Sequence, residues 1–373
     1  MKIAVIGRGL IGSAAARHLA LAGVSPTLIG PAEPDDIASH QGVFASHYDE
    51  GRITRRNATT EFWSEVSHAS IERYGEIEAS SGIAFFSPVG ALMVGPTNGD
   101  FMVSARKVAT SQKVVCEDLD GPSFSNAFPM MTFSADTAAL WEQDGAGHIS
   151  PRRLVAAQTR AALKAGAMIQ QDIVLGLEET QNGVRVRTDA GAVDYDQVLV
   201  AAGSMTDHVL GRPVTFEVRP RTVTFFHMSP DQAETLRDMP SAVFDTGHYL
   251  LPPIHYPDGT IRMKLGGEPD AAPLTSPGAM RDWFHGGGSK AVSALHQDWF
   301  RRHLPEVWNK LTKVTWEPCM TTWSDDQLPE IRRLGPHVSV AAAGNGAGAK
   351  CSDELGRRGA ALILKYALER SFA

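Results

Sequence analysis

The chain opens on Met1-Lys2-Ile3-Ala4-Val5-Ile6-Gly7-Arg8-Gly9-Leu10-Ile11-Gly12, and these residues carry the architecture. Lys2 to Ile6 is a short apolar run suited to a buried parallel strand. It leads straight into a G-x-G-x-x-G turn, then into a helix-forming stretch through Ala22 that Gly23 closes as a C′ residue. Val24 to Ile29 supplies a second strand, weakened by Pro26. Strand, glycine turn, helix and strand in this order open a βαβ dinucleotide-binding unit. Its glycines have separate tasks: Gly7 makes the tight turn, Gly9 lets the backbone approach a pyrophosphate, and Gly12 permits close packing of helix on strand. The N–H groups at the helix start, around Leu10 and Ile11, then face the phosphate charge.

One part of the unit is out of place. A ribose-binding carboxylate is expected about 20 residues beyond the turn, and Gly30 stands there. Glu33, Asp35 and Asp36 follow, and Glu33 is the candidate substitute. The gap counts against a nicotinamide cofactor more than against a flavin, which has further anchoring surfaces.

Outward from this unit, Glu61 to about Glu78 reads as a helix with Phe62, Val66, Ala69 and Ile77 inward, and Phe85 to Val94 turns strand-like. Ser150-Pro151 is an N-cap and N1 pair opening a helix to about Ala165, with Gly166 ending it. Asn182-Gly183 marks a hairpin in which Val184 and Val186 alternate with Arg185 and Arg187. A second buried parallel strand, Val198 to Ala202, ends in Gly203, which places Ala202 and Gly203 among the cofactor-binding candidates. Val214 to Leu265 mostly alternates, as antiparallel strands do; Val338 to Ala343 is a third buried strand, followed by a glycine turn at 344–348 and a helix from Ser352. Nucleotide-type segments thus lie at the start, middle and end of the chain. The expected fold is α/β: a Rossmann-like cofactor domain (1–80, 145–213, 316–373) interleaved with an α+β substrate domain (81–144, 214–315) on a mainly antiparallel sheet.

Composition narrows the function classes. A length of 373 residues predicts two domains, or one large one, with ample core. A net charge of -7 leaves no footprint for nucleic acid, and 43% hydrophobic residues without a long charge block argue against disorder. Cys116, Cys319 and Cys351 are odd in number and widely spaced, so they encode neither a disulfide framework nor a C-x-x-C site. His40, His47 and His68 lack metal-ligand spacing, so no metal is expected. No run of about 18 apolar residues predicts a membrane span. Lys2 and Ala14-Ala15-Ala16 imitate a secretory leader, but Arg8 interrupts the apolar run and Arg17-His18 follow it, so the expected location is cytoplasmic.

Four segments together resemble the monomeric sarcosine oxidase and N-methyltryptophan oxidase group of the D-amino-acid-oxidase-like flavoproteins. Gly7 to Gly12 resembles the group's adenine-dinucleotide fingerprint, and Ser46-His47-Tyr48-Asp49-Glu50-Gly51-Arg52-Ile53-Thr54-Arg55 resembles its S-H-x-x-x-x-R-I-x-R flavin and substrate segment. Arg262-Met263-Lys264-Leu265-Gly266 resembles its lysine-bearing strand. Pro318-Cys319-Met320-Thr321, with Asp326-x-x-Pro329 and Gly346-x-Gly348-x-Lys350 behind it, resembles its C-terminal flavin region.

Each residue also has a plainer reading. Cys319 alone is a small buried hydrophobe; the resemblance implies instead a thioether from its sulfur to the flavin 8α carbon. Periodicity puts Lys264 on a solvated strand face, opposite Ile261, Met263 and Leu265; the resemblance places it beside flavin N5, where its charge stabilises superoxide. The run Arg52 to Arg56 reads as a basic surface loop; the resemblance puts Arg52 near the flavin face and makes Arg55 and Lys350 the pair that holds a substrate carboxylate. Tyr48, Glu268 and Ala347 stand where histidines are usual, Tyr249 matches a site aromatic, and Thr321 stands where another aromatic is usual. The resemblance therefore implies an FAD enzyme, covalently loaded through Cys319, that oxidises a secondary or N-methyl amino acid to an imine and reduces O2 to peroxide. It implies a monomer or small homo-oligomer. A flavin dehydrogenase with another acceptor, a nicotinamide dehydrogenase and a non-catalytic flavin-binding protein remain as alternatives.

Overall fold

The protein is described here from a computed structural model covering residues 1–214, 216–267 and 271–371, with backbone alone for 366–371. Glu268, a candidate site residue, lies outside the described residues.

The three buried strands meet in one sheet. Ile3–Ile6 pairs in parallel with Gln197–Val200 on one side and Thr27–Ile29 on the other, and Val338–Ala342 extends the sheet beyond Gln197–Val200. Met168–Gln170 and an antiparallel strand, Glu330–Arg333, form the two edges of this six-stranded sheet. Both faces of this sheet are covered, so its strands show no polar alternation; every residue of Ile3–Ile6, Gln197–Val200 and Val338–Ala342 is buried. Helices Leu10–Leu21, Pro151–Lys164 and Ser352–Ser371, drawn from the start, middle and end of the chain, pack together on the face that presents Ile3, Val5, Leu28 and Leu199. The other face, with Ala4, Ile6, Val198 and Val200, is covered by a three-stranded antiparallel sheet of Val174–Thr180, Gly183–Thr188 and Gly191–Tyr195. Ser150 caps the middle helix as expected, its side chain accepting from Arg153 N.

The second large sheet has eight strands, ordered Lys313–Trp323, Glu217–Met228, Ile261–Gly266, Tyr249–His255, Ser241–Phe244, Ala91–Pro96, Thr137–Glu142 and Glu117–Leu119. All its pairings are antiparallel except Ser241–Phe244 against Ala91–Pro96, which joins the two sequence-distant parts of the sheet. Helix Lys290–His303 packs on it, with Phe300 stacked on Phe226 at 3.9 Å between ring centres. A three-stranded sheet of Arg52–Thr54, Gly147–Ile149 and Phe86–Ser87 contributes the arginine segment to the site.

Several expectations are corrected. The second strand begins at Thr27, because Pro26 has no N–H to give the ladder. The helix expected over 61–78 is two, Glu61–Ile71 and Tyr74–Ser81. Between them Arg73 bonds Asp353 and Glu354, and the second helix aims Tyr74 and Ile77 at Phe85 and Leu154. The run 85–94 divides at Gly90 (φ 77°) between two sheets. Lys264 is not on a solvated face: its strand is covered on both sides and the side chain is fully buried.

Candidate active site

The glycine turn behaves as its chemistry requires. Gly7 has φ 110°, and a Cβ there would lie 2.3 Å from Ala201 O; a Cβ at Gly12 would lie 1.8 Å from Gly7 O. At Gly9 the nearest atom to such a Cβ is His47 Nδ1 at 3.9 Å, so the backbone there is open. It opens onto a cavity of about 400 Å³. The cavity runs from the turn (Gly7 to Ile11) past Ala202 and Gly203 to Cys319, Thr321 and Gly346 to Gly348, with Ser46, His47, Tyr48 and Arg52 along its wall. A long chamber that begins at open backbone N–H groups and is otherwise largely apolar fits a dinucleotide.

The ribose end departs from the usual arrangement. Arg8 Nη1 donates to Gly30 O at 3.4 Å, and a Cβ at Gly30 would lie 2.9 Å from Arg8 N. Glu33 is engaged elsewhere, accepting from Arg152 Nε at 2.8 Å and Nη2 at 2.6 Å beside an adjoining cavity that Arg8 and His47 also line. Burial, with Arg152, Arg52 and Arg8 near it, pulls His47 down to about 3, so its ring is neutral at ordinary pH.

At the other end of the chamber Arg52 and Cys319 line the wall, and Asp49 joins Arg52 to Lys264, which does not itself line it. Asp49 Oδ2 accepts from both Lys264 Nζ and Arg52 Nη1, while Oδ1 accepts from Tyr256 Oη at 3.2 Å and from Glu50 N at 2.7 Å. Lys264 Nζ also donates to Gly51 O at 2.8 Å, and Arg52 Nη2 lies 3.5 Å from Cys319 Sγ. Burial alone would raise the Asp49 carboxyl, but the Lys264 and Arg52 charges hold it well below the usual carboxylate range. Burial and Arg52 push Lys264 down to about 8, against the opposing pull of Asp49. The Tyr249 ring lies 5.6 Å from Lys264 Nζ.

A second cation pair is arranged differently. Lys350 Nζ reaches only Arg55 O, at 3.4 Å, and Arg55 Nε is buried without a hydrogen-bond partner. Among the described residues no carboxylate lies within ion-pair distance of either. Glu142, the nearest in effect, is committed to the backbone N–H groups of Arg56 and Asn57 at 3.0 Å. Burial and the Arg55 charge pull Lys350 down to about 7. Two neighbouring cations without a counter-ion can receive an anion.

Other candidates are placed apart. Tyr48 packs edge-on to His47 in the chamber wall, with burial pushing its phenol up to about 12, and it belongs with Arg8 and Glu33 rather than with Lys264 or Lys350. Ile53 pairs with His148 in the small sheet and does not line the chamber. Cys116 and Cys351 are also away from it, and burial raises both thiols. Asp49, Tyr256 and Glu142 are the residues that sequence reading missed. Asp49 lies in the same segment as Arg52, but its place between Arg52 and Lys264 is made only by the fold.

The family model for FAD dependent oxidoreductases, DAO, matches residues 2–362. The chain belongs to the DAO family of FAD dependent oxidoreductases. FAD is therefore the cofactor, and the nicotinamide alternative falls. A 4-methylaminobutanoate oxidase (formaldehyde-forming) of Paenarthrobacter nicotinovorans is 30% identical over 211 residues, 55% of this chain and 25% of that protein. A monomeric sarcosine oxidase of Streptomyces avermitilis is 30% identical over 58% of this chain and 56% of its own length. These two matches thus span a quarter and little more than half of the relatives' lengths. An N-methyl-L-tryptophan oxidase of Yersinia pestis is 25% identical over 94% of this DAO-family chain and 92% of its own. The L-proline dehydrogenase of P. horikoshii shares the fold at TM-score 0.77 and 18% identity, covering 98% of this chain and 93% of that one. The expected two-part α/β architecture is thereby the one found. No helix among the described residues is long and apolar enough to cross a membrane.

Proposed function

We propose that this flavoenzyme oxidises the C–N bond of a secondary or N-methyl amino acid, giving an imine that water hydrolyses, with O2 reduced to H2O2. The observation that carries the reading is the uncompensated pair of Arg55 and Lys350. A substrate carboxylate supplies the missing anion, Arg55 offering a planar fork and Lys350 a compact charge. Anchoring the acid end fixes where the amine-bearing carbon lies. When bound, FAD supplies the two-electron chemistry. Arg52, on the chamber wall, and Lys264, joined to it through Asp49, place positive charge where negative charge develops during the transfer to oxygen. Full-length similarity to an N-methyl-L-tryptophan oxidase and partial similarity to a sarcosine oxidase support the substrate class.

Covalent attachment of the flavin through Cys319 belongs to the same reading. Of the three cysteines, Cys319 alone lines the chamber, and its sulfur lies 3.5 Å from the Arg52 guanidinium. The reading further includes a division into cofactor segments (1–80, 145–213, 316–373) and substrate segments (81–144, 214–315), although residue 316 falls inside strand Lys313–Trp323. It also includes a cytoplasmic location, in keeping with three free thiols, and a monomer or small homo-oligomer.

The test has two parts. Acid precipitation of the yellow protein should leave the colour in the pellet, and Cys319→Ser should release it to the supernatant. Anaerobic addition of N-methyl amino acids should bleach the flavin, and air should restore it with one peroxide per substrate. Bleaching that only an added dye reverses would make the protein a dehydrogenase, and a flavin that no amine bleaches would remove the catalytic reading.

A further inference from the structure

We propose that Asp49 is a positioning residue for oxygen chemistry: it fixes Lys264 beside Arg52 and supplies the counter-charge that keeps the ammonium in place. The inference rests on the role given to Lys264 under the proposed function and adds a residue to it.

The geometry is fully specified. A carboxylate has about four acceptor directions, and Asp49 fills them with Lys264, Arg52, Tyr256 and the Glu50 N–H. It is 6% exposed and has no freedom to turn without losing one of these bonds. Lys264 has three N–H donors; it gives one to Asp49 and one to Gly51 O, and the third is left for a water or an oxygen species. The three side chains sum to a single positive charge. Without the carboxylate, a buried ammonium and a guanidinium would face each other in a dry site, and of the two only the lysine readily gives up its proton. The other groups facing the pair are Tyr249, Tyr256, Glu317 and Cys319, with Arg262 further along the strand that carries Lys264. Glu317 is itself shifted toward its neutral form by burial and by Asp49, so it does not replace the Asp49 charge.

Asp49→Asn separates charge from shape, because the amide keeps the size and can still accept from Tyr256 and Glu50. Holoenzyme is reduced without oxygen and then mixed with O2 from pH 6 to 10, following flavin absorbance. In the unaltered protein reoxidation should slow as the pH passes about 8, where Lys264 loses its proton. In Asp49→Asn that limb should move about 1–3 units lower, and Asp49→Glu should restore it. A second measurement does not depend on turnover. The gap in melting temperature between the unaltered protein and Asp49→Asn should be widest below pH 8 and narrow above it, since the ion pair exists only while Lys264 is protonated.

An unmoved limb in Asp49→Asn, with reoxidation slowed tenfold or more in Lys264→Met, would overturn the inference and leave the Lys264 assignment standing. Equally fast reoxidation in Lys264→Met would overturn that assignment and the inference with it. A pH-independent melting gap would reduce Asp49 to packing. Should Asp49→Asn not fold, Lys264→Arg decides: an arginine on Asp49 holds its charge throughout, so a surviving limb near pH 8 overturns the proposal.

Discussion

Two pairs of cations at the candidate site are finished in opposite ways. Lys264 and Arg52 close on Asp49, so their charge is compensated within the chain before any ligand arrives. Among the described residues, Lys350 Nζ finds only the Arg55 backbone carbonyl and Arg55 Nε finds no partner. The first pair is a preorganised fixture, paid for by the fold; the second is held strained by desolvation until an anion relieves it. Position in the fold accounts for the difference. Asp49 precedes Arg52 by three residues and meets Lys264 across the Ile261–Gly266 strand, whereas Glu142, beside Arg55, is spent on holding the backbone of Arg56 and Asn57.

The contrast breaks most easily in stability. Asp49→Ala strands two buried cations and should cost about 3–5 kcal/mol, read as a lower midpoint in urea denaturation. Arg55→Met removes an uncompensated charge and should leave that midpoint unchanged or raise it. Equal losses in the two variants would show that both pairs serve only to hold the fold. In turnover the order reverses for Arg55. Losing charge-assisted bonds to a carboxylate, worth about 1.5–3 kcal/mol, should lower kcat/KM by roughly 10–150-fold in Arg55→Met, mostly through KM; an unchanged KM would remove the carboxylate receptor. The smallest effect is a pH dependence. Lys350, pulled down to about 7 by burial and Arg55, is cationic below that pH and neutral above it. The ordering of signs is therefore that kcat/KM falls, by up to about tenfold per pH unit, as the pH rises above 7. Because a bound anion favours the charged lysine, the corresponding limb in kcat should lie at higher pH. Lys350→Met should lack the limb, and its persistence there would assign it to another group.

Sequence reading reached the parts of this arrangement that are local. Ile3–Ile6, the glycine turn and the Ser150 cap are decided within a few residues, and they stand where periodicity puts them. Periodicity alone misplaces Lys264, because a strand covered on both faces carries no solvent side to alternate with. Glu33 reads as a candidate ribose ligand, and nothing near it in the chain shows that Arg152, 119 residues on, bonds it. Asp49 reads as one more polar residue in a loop until the strand bearing Lys264 is folded against it. What the sequence did not show is, in each case, a bond between charges far apart along the chain.

The interleaving of strands also bears on how the chain acquires its shape. Ile3–Ile6 has Thr27–Ile29 close behind it but waits for Gln197–Val200 to occupy its other edge, and that strand in turn waits for Val338–Ala342. Ala91–Pro96 likewise gains its parallel neighbour only when Ser241–Phe244 has been made. During synthesis, then, the nascent chain carries unpaired apolar strands for most of its length, and neither half is a unit that folds ahead of the other. The chamber, walled by residues from 6 to 349, cannot be complete until nearly all of the chain has been made.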